Sequence, residues 1–306
     1  MKRVAIAGSG MMGSGIAQVF ASKGFDVTIV SRDPSQSTAL KSIEANFKVL
    51  MENGAATKEE LDNTLGHITL TADKKAAFRD ADIIIENIPE NMELKQDFFY
   101  EAEQMCREDT ILATNTSVMS ITEIGAKVRN KSRVIGTHFW NPPFLIPLVE
   151  VVRTEYVSDE VVDKTVAILQ RAGKHPVVVK KDVPGFVANR LQHALWREAI
   201  SIVERGIADA RTVDECIRYG FGLRLPILGP LENADMVGLD LTLSIHEYIL
   251  KYLESSPEPS PLLREKVQNG ELGFKTGKGF QEWSAEEIQK SRRRLLEYLI
   301  KVTKQN

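Results

Sequence analysis

The fold is decided by the stretch Lys2-Arg-Val-Ala-Ile-Ala-Gly8-Ser-Gly10-Met-Met-Gly13-Ser-Gly15-Ile-Ala17 of this 306-residue chain. Its first six residues have the apolar pattern of a strand, the residues after the glycines have that of a helix, and Val27–Val30 predicts a second strand. In such a unit Gly8 allows a tight turn, Gly10 lets a pyrophosphate approach the backbone, and Gly13 allows close helix packing. The stretch therefore predicts a dinucleotide-binding unit, and a tight turn that binds nothing is the alternative.

Strand and helix patterns alternate from this start up to the breakers Pro184-Gly185, and only helical patterns follow. We predict an α/β fold in which residues 1–183 form a Rossmann-like domain with a mostly parallel sheet. Residues 184–306 are predicted to form an all-helical C-terminal domain. Helices are expected, among others, at Pro34–Glu52, Phe186–Arg205, Thr212–Tyr219, Leu231–Leu253, Leu262–Gln268 and Ala285–Lys301.

The composition points to a small-molecule partner. With a net charge of −3, the chain has no overall basic field for nucleic acid or for an anionic membrane. Cys106 and Cys216 lie far apart and have no histidine at ligand spacing, so we expect neither a disulfide framework nor a metal site. Because the strand pattern begins at Lys2 and no apolar run could span a bilayer, a cytoplasmic protein is expected.

A second stretch, Arg133–Val152, predicts a general base. Two β-branched apolar runs flank the corner Pro142-Pro143, so the chain is expected to fold back on itself as two strands. His138 closes the first run and Glu150 lies twelve residues later (150 − 138) in the second, close enough to return to the imidazole. A carboxylate that orients a histidine makes it a base near neutral pH. The alternative is a core histidine beside an unrelated charge.

Polar residues also follow several predicted strands. In an open parallel sheet the loops at the carboxyl ends line the ligand crevice, which places Glu90, Lys95 and Ser117 at that edge. Each of them alone is more often a helix cap or a surface charge, but as a set on the same edge they favour a ligand site. After the second strand, Ser31 and Arg32 stand where NAD sites usually carry an acid, and this pair would accommodate a 2′-phosphate. Asp33, two residues later, could still reach a free ribose if the loop bends, so both NAD and NADP stay open as cofactors.

Six motifs in order along the whole chain resemble the 3-hydroxyacyl-CoA dehydrogenase family. They are Gly8-x-Gly10-x-Met12-Gly13, Asn115-Thr-Ser117, His138-Phe-x-Asn141-Pro, Leu148-Val-Glu150-Val, Pro184-Gly-Phe-x-x-Asn189-Arg190 and Gly273-Phe-Lys275-Thr-Gly277. The resemblance implies a Rossmann-like domain, a helical C-terminal domain that forms a homodimer, and a cleft between them for cofactor and substrate. It implies fatty acid metabolism as the setting.

The same resemblance implies a role for individual residues. His138 would be the catalytic base, Glu150 would orient it, and Ser117 and Asn189 would hydrogen-bond the substrate oxygen. The residues implied at the nucleotide are Gly8, Gly10, Met12, Gly13, Ser31, Arg32, Glu90, Lys95, Ser117, Asn141 and Lys275.

Two departures keep the substrate open. Glu52-Asn53 stands where members that act on CoA thioesters tend to carry lysines, and CoA phosphates need cations. The segments Asn189-Arg-Leu-Gln192 and Phe221–Glu232 look like the lambda-crystallin (gulonate dehydrogenase) and carnitine dehydrogenase branch, whose substrates are free hydroxy acids. There Arg224 could clamp a substrate carboxylate, although it reads equally well as a helix-end charge.

The predicted reaction is hydride transfer between the C3 hydroxyl of an L-3-hydroxyacyl-CoA and NAD, with NADP possible and His138 as base. A dehydrogenase of a free 3-hydroxy acid, of the gulonate or carnitine type, is one alternative. A non-catalytic crystallin-like or nucleotide-binding protein is the other. A homodimer is expected through the C-terminal helices, where a stripe of Leu191, Leu195, Ile200 and Val203 fits an interface and an internal core equally well.

Overall fold

The structure is a computed structural model that describes residues 2–304, without the side chain of Lys304. The described chain divides into two compact units, of which Arg190–Arg293 is one and the remainder is the other. The larger unit contains one eight-stranded sheet in the order β3-β2-β1-β4-β5-β6-β7-β8. The strands are β1 (Arg3–Ala7), β2 (Asp26–Val30), β3 (Ile68–Thr71), β4 (Ile83–Glu86), β5 (Ile111–Thr114), β6 (Val134–Phe139), β7 (Leu148–Arg153) and β8 (His175–Val179).

Seven of the described α-helices lie entirely in the larger unit. They are α1 (Met11–Ala21), α2 (Ala39–Glu52), α3 (Lys58–Gly66), α4 (Lys74–Arg79), α5 (Met92–Met105), α6 (Ile121–Ile124) and α7 (Asp159–Arg171). Six more follow: α8 (Ala188–Glu204), α9 (Ala210–Tyr219), α10 (Pro230–Val237), α11 (Leu239–Ile249), α12 (Pro261–Gln268) and α13 (Ala285–Lys304). Residues 294–304 of α13 belong to the larger unit, where Ile300 packs with Leu50 and Leu145.

The sheet is buried on both faces, as its apolar strands require. Val4 and Ile6 of β1 pack into one core, whereas Ala5 and Ala7 of the same strand pack into the other. All neighbouring strands are parallel except β6 and β7, which are antiparallel. Parallel strands covered on both sides have continuous apolar sequences, which is the pattern of β4. The predicted Rossmann-like α/β class with a helical C-terminal region is confirmed.

Two predicted helices have wrong boundaries, each for a local reason. Helix α2 begins at Ala39 and not at Pro34, because the Asp33 carboxylate accepts hydrogen bonds from the amides of Ser35 and Gln36 and holds a turn there. The predicted helix Leu231–Leu253 is two helices, α10 and α11. Gly238 separates them at φ 103°, a conformation that no helix continues through. Helix α4, six residues long, was not predicted.

The smaller unit is helical apart from two isolated β-bridges, which join Lys278 to Gly273 and to Glu282. It holds α9 to α12 with the larger part of α8 and the first residues of α13. None of the helices within residues 2–304 combines the length and the apolar character needed to cross a membrane.

Candidate active site

The folded-back corner brings His138 and Glu150 together, as their spacing predicts. In the antiparallel pair of β6 and β7 the two residues lie directly opposite each other, so their side chains share one face of the sheet. Nδ1 of His138 lies 2.9 Å from Oε2 of Glu150, and both side chains are buried. The corner between the strands contains a cis peptide bond, Asn141–Pro142. Backbone register, and not side-chain flexibility, therefore sets the geometry of the pair.

The second oxygen of Glu150 is held by the backbone that leads into α8. Oε1 accepts hydrogen bonds from the amides of Val187 and Ala188, each at 3.0 Å. Two consecutive left-handed residues, Gly185 (φ 76°) and Phe186 (φ 48°), precede these amides and aim them at the carboxylate. Burial raises the pKa of Glu150, but the hydrogen bonds from His138, Ala188 and Val187 outweigh it and leave the pKa below its usual value. Glu150 is therefore an anion at neutral pH.

This anion fixes the imidazole in one form. A carboxylate only accepts hydrogen bonds, so Nδ1 of the neutral His138 ring carries the proton and Nε2 keeps its lone pair. The ring stands between two aromatic side chains, with centroids 5.5 Å from Trp140 and 5.6 Å from Phe186. The Trp140 indole also donates to Oε2 of Glu150 at 3.4 Å. An imidazole held in this way can take a proton at Nε2 and share the resulting charge with Glu150.

The loops after β4 and β5 are joined to each other and to the end of β6 at the same sheet edge. The Asn115 side chain accepts from the Phe139 amide at 2.8 Å and donates to the Asn87 side chain at 2.9 Å. The Glu90 carboxylate accepts from the Ser117 amide at 3.0 Å, and the Asn189 side chain donates to the Ser117 carbonyl at 3.1 Å. The structure thus gathers Glu90, Ser117 and Asn189 in one network. Asn115 was not predicted as a site residue, although it opens the Asn-Thr-Ser motif.

The glycine turn fits a pyrophosphate. A Cβ on Gly13 would lie 2.0 Å from the Gly8 carbonyl oxygen, so the close approach of α1 to the turn needs glycine. A Cβ on Gly10 would meet nothing within 4 Å, which leaves open space above that backbone. The first turn of α1 carries no acidic side chain, and Gly10 makes no side-chain cap, so the helix amides remain available to an anion. These features fit a dinucleotide.

Comparison with known proteins names the family. Residues 3–183 match the model of the 3-hydroxyacyl-CoA dehydrogenase NAD binding domain, and residues 185–283 match that of the 3-hydroxyacyl-CoA dehydrogenase C-terminal domain. The chain belongs to the 3-hydroxyacyl-CoA dehydrogenase family. The assignment drawn from the motifs is confirmed, and with it the class of oxidoreductases that have an NAD binding domain.

Two curated relatives of this family member carry different substrates in their names. It is 40% identical to the probable 3-hydroxybutyryl-CoA dehydrogenase of Bacillus subtilis, over 92% of this chain and 98% of that protein. It is 34% identical to the 5-formyl-3-hydroxy-2-methylpyridine 4-carboxylate 5-dehydrogenase of Mesorhizobium japonicum, over 91% of this chain and 90% of that protein.

The similar solved structures also include both a dehydrogenase named for a carboxylic acid and one named for a CoA thioester. A crystal structure of a 5-formyl-3-hydroxy-2-methylpyridine 4-carboxylic acid 5-dehydrogenase, described as an NAD+ dependent dismutase, superposes with a TM-score of 0.89 at 33% identity and covers 99% of this chain and 98% of that one. The (S)-3-hydroxybutyryl-CoA dehydrogenase from Ralstonia eutropha gives a TM-score of 0.78 at 33% identity, over 93% of this chain and 99% of that one.

Lys95 of this family member is a buried side chain. Its ammonium donates to Oε1 of Glu86 at 2.6 Å and to the Ile88 carbonyl at 3.2 Å, and it lies 3.5 Å from Glu90. The other oxygen of Glu86 accepts from the Thr114 hydroxyl at 2.6 Å. Lys95 therefore ties the loop after β4 to the loop after β5 through Glu86 and Glu90. A direct contact of Lys95 with the nucleotide stays a prediction.

The other predicted site residues are solvent-facing or outside the larger unit. Asn141 is exposed, and Met12 is half-buried in the first turn of α1. Arg224 and Lys275 are exposed residues of the smaller unit, where Lys275 lines a cavity of about 540 Å³ with Phe280 and Trp283. Their predicted roles toward substrate and nucleotide stay predictions. Within the described residues no group of three or more His, Cys, Asp or Glu side chains could hold a metal ion.

Proposed function

We propose that the protein oxidises the C3 hydroxyl of an L-3-hydroxyacyl-CoA with a nicotinamide dinucleotide as hydride acceptor, and catalyses the reverse reduction. The observation that carries the proposal is the 2.9 Å contact between His138 and the buried Glu150 in a member of this family. When bound, the nicotinamide supplies the hydride chemistry. Nε2 of His138 takes the hydroxyl proton while the hydride leaves the same carbon, so that a ketone forms.

Each remaining residue of the site serves this proton transfer. Glu150 stabilises the imidazolium that forms, because it is an anion held by two backbone amides. Ser117 and Asn189 hold the substrate oxygen near Nε2, and the Asn189 contact with the Ser117 carbonyl keeps the two residues adjacent. Glu90 restrains Ser117 through its amide and Lys95 restrains Glu90. The proton thus enters a site whose polar groups are already bonded to one another.

A free carboxylic acid is the second candidate substrate. Three observations favour it: the relative from Mesorhizobium japonicum is named for a carboxylate, the structure named for that activity superposes with a TM-score of 0.89, and α2 ends with Glu52. Arg224 is exposed, and its guanidinium makes no hydrogen bond or ion pair with any described residue, so this group is available to an anion.

One assay separates the two substrate classes. Initial rates are measured at 340 nm with acetoacetyl-CoA, free acetoacetate, L-gulonate and L-carnitine, each with both nicotinamide cofactors. The CoA proposal expects kcat/KM for the thioester to exceed that of every free acid by at least about tenfold. A free acid that is preferred by the same margin, and whose preference is lost in Arg224→Ala, would replace the thioester as substrate.

We further propose that the smaller unit pairs with a second copy of the chain. Among its described residues only Ser201 is buried, whereas Leu231 and Ile227 are each 81% exposed and Leu239 is 63% exposed. A unit of 104 residues (293 − 190 + 1) without a buried apolar side chain cannot stabilise itself by its own core. A homodimer covers this surface. The cytoplasmic location and the place in fatty acid metabolism stay predictions.

A further inference from the structure

The end of β2 lacks the carboxylate that usually binds the adenosine ribose. Ser31 takes its place, and its amide donates to the Thr71 carbonyl at 2.9 Å, which fixes it at the carboxyl end of the strand. The Ser9 hydroxyl, from the glycine turn, donates to the Ser31 hydroxyl at 3.0 Å. Two hydroxyl groups therefore lie together where an acidic side chain would accept hydrogen bonds from the ribose.

Asp33, the acidic residue two positions after Ser31, already accepts hydrogen bonds from other groups. Asp33 is exposed, and its Oδ1 accepts from the Ser35 hydroxyl at 2.6 Å and from the amides of Ser35 and Gln36 at 3.0 and 3.3 Å. These three hydrogen bonds form the turn after which α2 begins at Ala39 instead of Pro34. Asp33 would have to give up this turn to reach a ribose hydroxyl. Its negative charge is meanwhile compensated by the three donors, which reduces its repulsion of an anion beside Ser31.

Arg32 provides the positive charge. It is exposed, and it makes no hydrogen bond or ion pair to any other residue that the structure describes. The backbone of its neighbour Ser31 is fixed by the sheet, so the start of the Arg32 side chain has a defined position. The guanidinium at the other end of that side chain is not held by another described residue. A guanidinium offers five donors in a planar fork that matches two oxygens of a phosphate. The hydroxyls of Ser9 and Ser31 donate to the Ser31 hydroxyl at 3.0 Å and to the Asp33 carbonyl at 3.2 Å. By rotating they would donate to a phosphate instead, and they do not repel it as a carboxylate would.

We propose that this end of the nucleotide site holds the 2′-phosphate of NADP, with the Arg32 guanidinium and the Ser9 and Ser31 hydroxyls as its partners. The chain then binds NADP(H) more tightly than NAD(H). The inference rests on the proposed function only in taking the glycine turn as the nucleotide site. It assigns the cofactor by the phosphate-binding chemistry of these three side chains.

The test is a binding experiment on the full chain without substrate. Dissociation constants for NADPH and NADH are measured by nucleotide fluorescence, and 2′,5′-ADP and 5′-ADP are compared as competitors. The proposal expects NADPH to bind at least about tenfold more tightly than NADH, and 2′,5′-ADP to compete better than 5′-ADP by a similar factor. Equal or tighter binding of NADH by the unchanged protein would overturn it.

Two variants identify the residues responsible. Arg32→Ala is expected to weaken NADPH binding about 10- to 100-fold, the range for a charge-assisted bidentate contact, and to change NADH binding less than about twofold. Ser31→Asp is expected to reverse the preference toward NADH. The control is Arg79→Ala: Arg79 is exposed beside Asp80, which pairs with Arg3 at the amino end of β1, away from Ser31.

The outcomes separate this inference from the proposed function. Equal loss of NADPH and NADH binding in Arg32→Ala would contradict the 2′-phosphate role, whatever the substrate. Tight NADPH binding that depends on Arg32, together with no turnover of any 3-hydroxy substrate, would uphold this inference and reject the proposed reaction. Failure of both nucleotides to bind would reject the nucleotide site and both proposals with it.

Discussion

At the scale of single residues, the surroundings of His138 suit its proposed role as general base. Its Nδ1 is occupied by a buried anion, and its Nε2 makes no hydrogen bond to the described residues. We predict that His138→Gln lowers kcat about 10²- to 10⁴-fold, the usual contribution of general acid–base catalysis. Nucleotide affinity, measured by fluorescence titration, is expected to stay within about twofold. His175→Gln, at the exposed start of β8, is the matched control and is expected to keep full activity.

Replacement of Glu150 is expected to affect both turnover and stability. We predict that Glu150→Gln lowers kcat about 10- to 100-fold, because a neutral amide stabilises the imidazolium less than a carboxylate does. The variant also loses a charged partner for two amides and His138, which should lower the free energy of unfolding by about 1–3 kcal/mol at pH 7. Unchanged turnover with an unchanged pH profile would show that the pair has no part in proton transfer.

The lowered pKa of Glu150 also fixes the sign of a pH effect on stability. Because its pKa in the folded protein lies below the ordinary value of 4.5, the stabilisation is fully present above that value and is lost as pH falls through the folded pKa. The difference in unfolding free energy between the unchanged protein and Glu150→Gln should therefore be constant from about pH 6 to 8 and shrink below about pH 4.5. Urea denaturation at a series of pH values measures it. A difference that grows as pH falls would contradict this assignment.

At the scale of elements, the turn before α8 connects the helix to the pair of His138 and Glu150. Gly185 has φ 76°, where a Cβ costs about 1–2 kcal/mol, and only Phe186 separates it from the amides of Val187 and Ala188. We predict that Gly185→Ala lowers the melting temperature and reduces kcat, because the shifted amides release Glu150. Val187→Ala is the control: its side chain is 50% exposed and its amide remains, so activity and stability should change little.

The individual strands and helices differ in how well the sequence predicts them. Apolar runs and a glycine turn are local signals, and each can be read from a short segment of the sequence. The sequence therefore predicts β1, β5 and β8, as well as the pairing of His138 with Glu150. Helix α2 was placed five residues early because a side chain of Asp33, and not backbone propensity, decides its start. The contacts of Glu150 with Val187 and Ala188 span 37 and 38 residues, and that of Asn189 with Ser117 spans 72. No local pattern encodes contacts at those separations; only the folded sheet creates them.

At the scale of the whole molecule, the smaller unit exposes apolar side chains along consecutive helices. Leu231 of α10 and Leu239, Leu243 and Tyr248 of α11 are all more than 60% exposed, and none of the unit's described apolar residues is buried. Burial of apolar surface contributes roughly 25 cal/mol per Å². Removal of several such side chains from water would therefore stabilise an assembly of two chains. The stability of this enzyme should then depend on protein concentration.

Light scattering on the native protein tests this expectation. We predict a mass near 68.4 kDa (2 × 34.2 kDa) and a melting temperature that rises with protein concentration. Leu243→Asp should shift the mass toward 34.2 kDa and lower the melting temperature, because an aspartate buried without a partner is strongly unfavourable. Glu247→Lys, an exposed polar position on the same helix, is the control for a charge change alone. A monomeric native protein whose melting temperature is the same at every concentration would mean that these helices pair with no second copy.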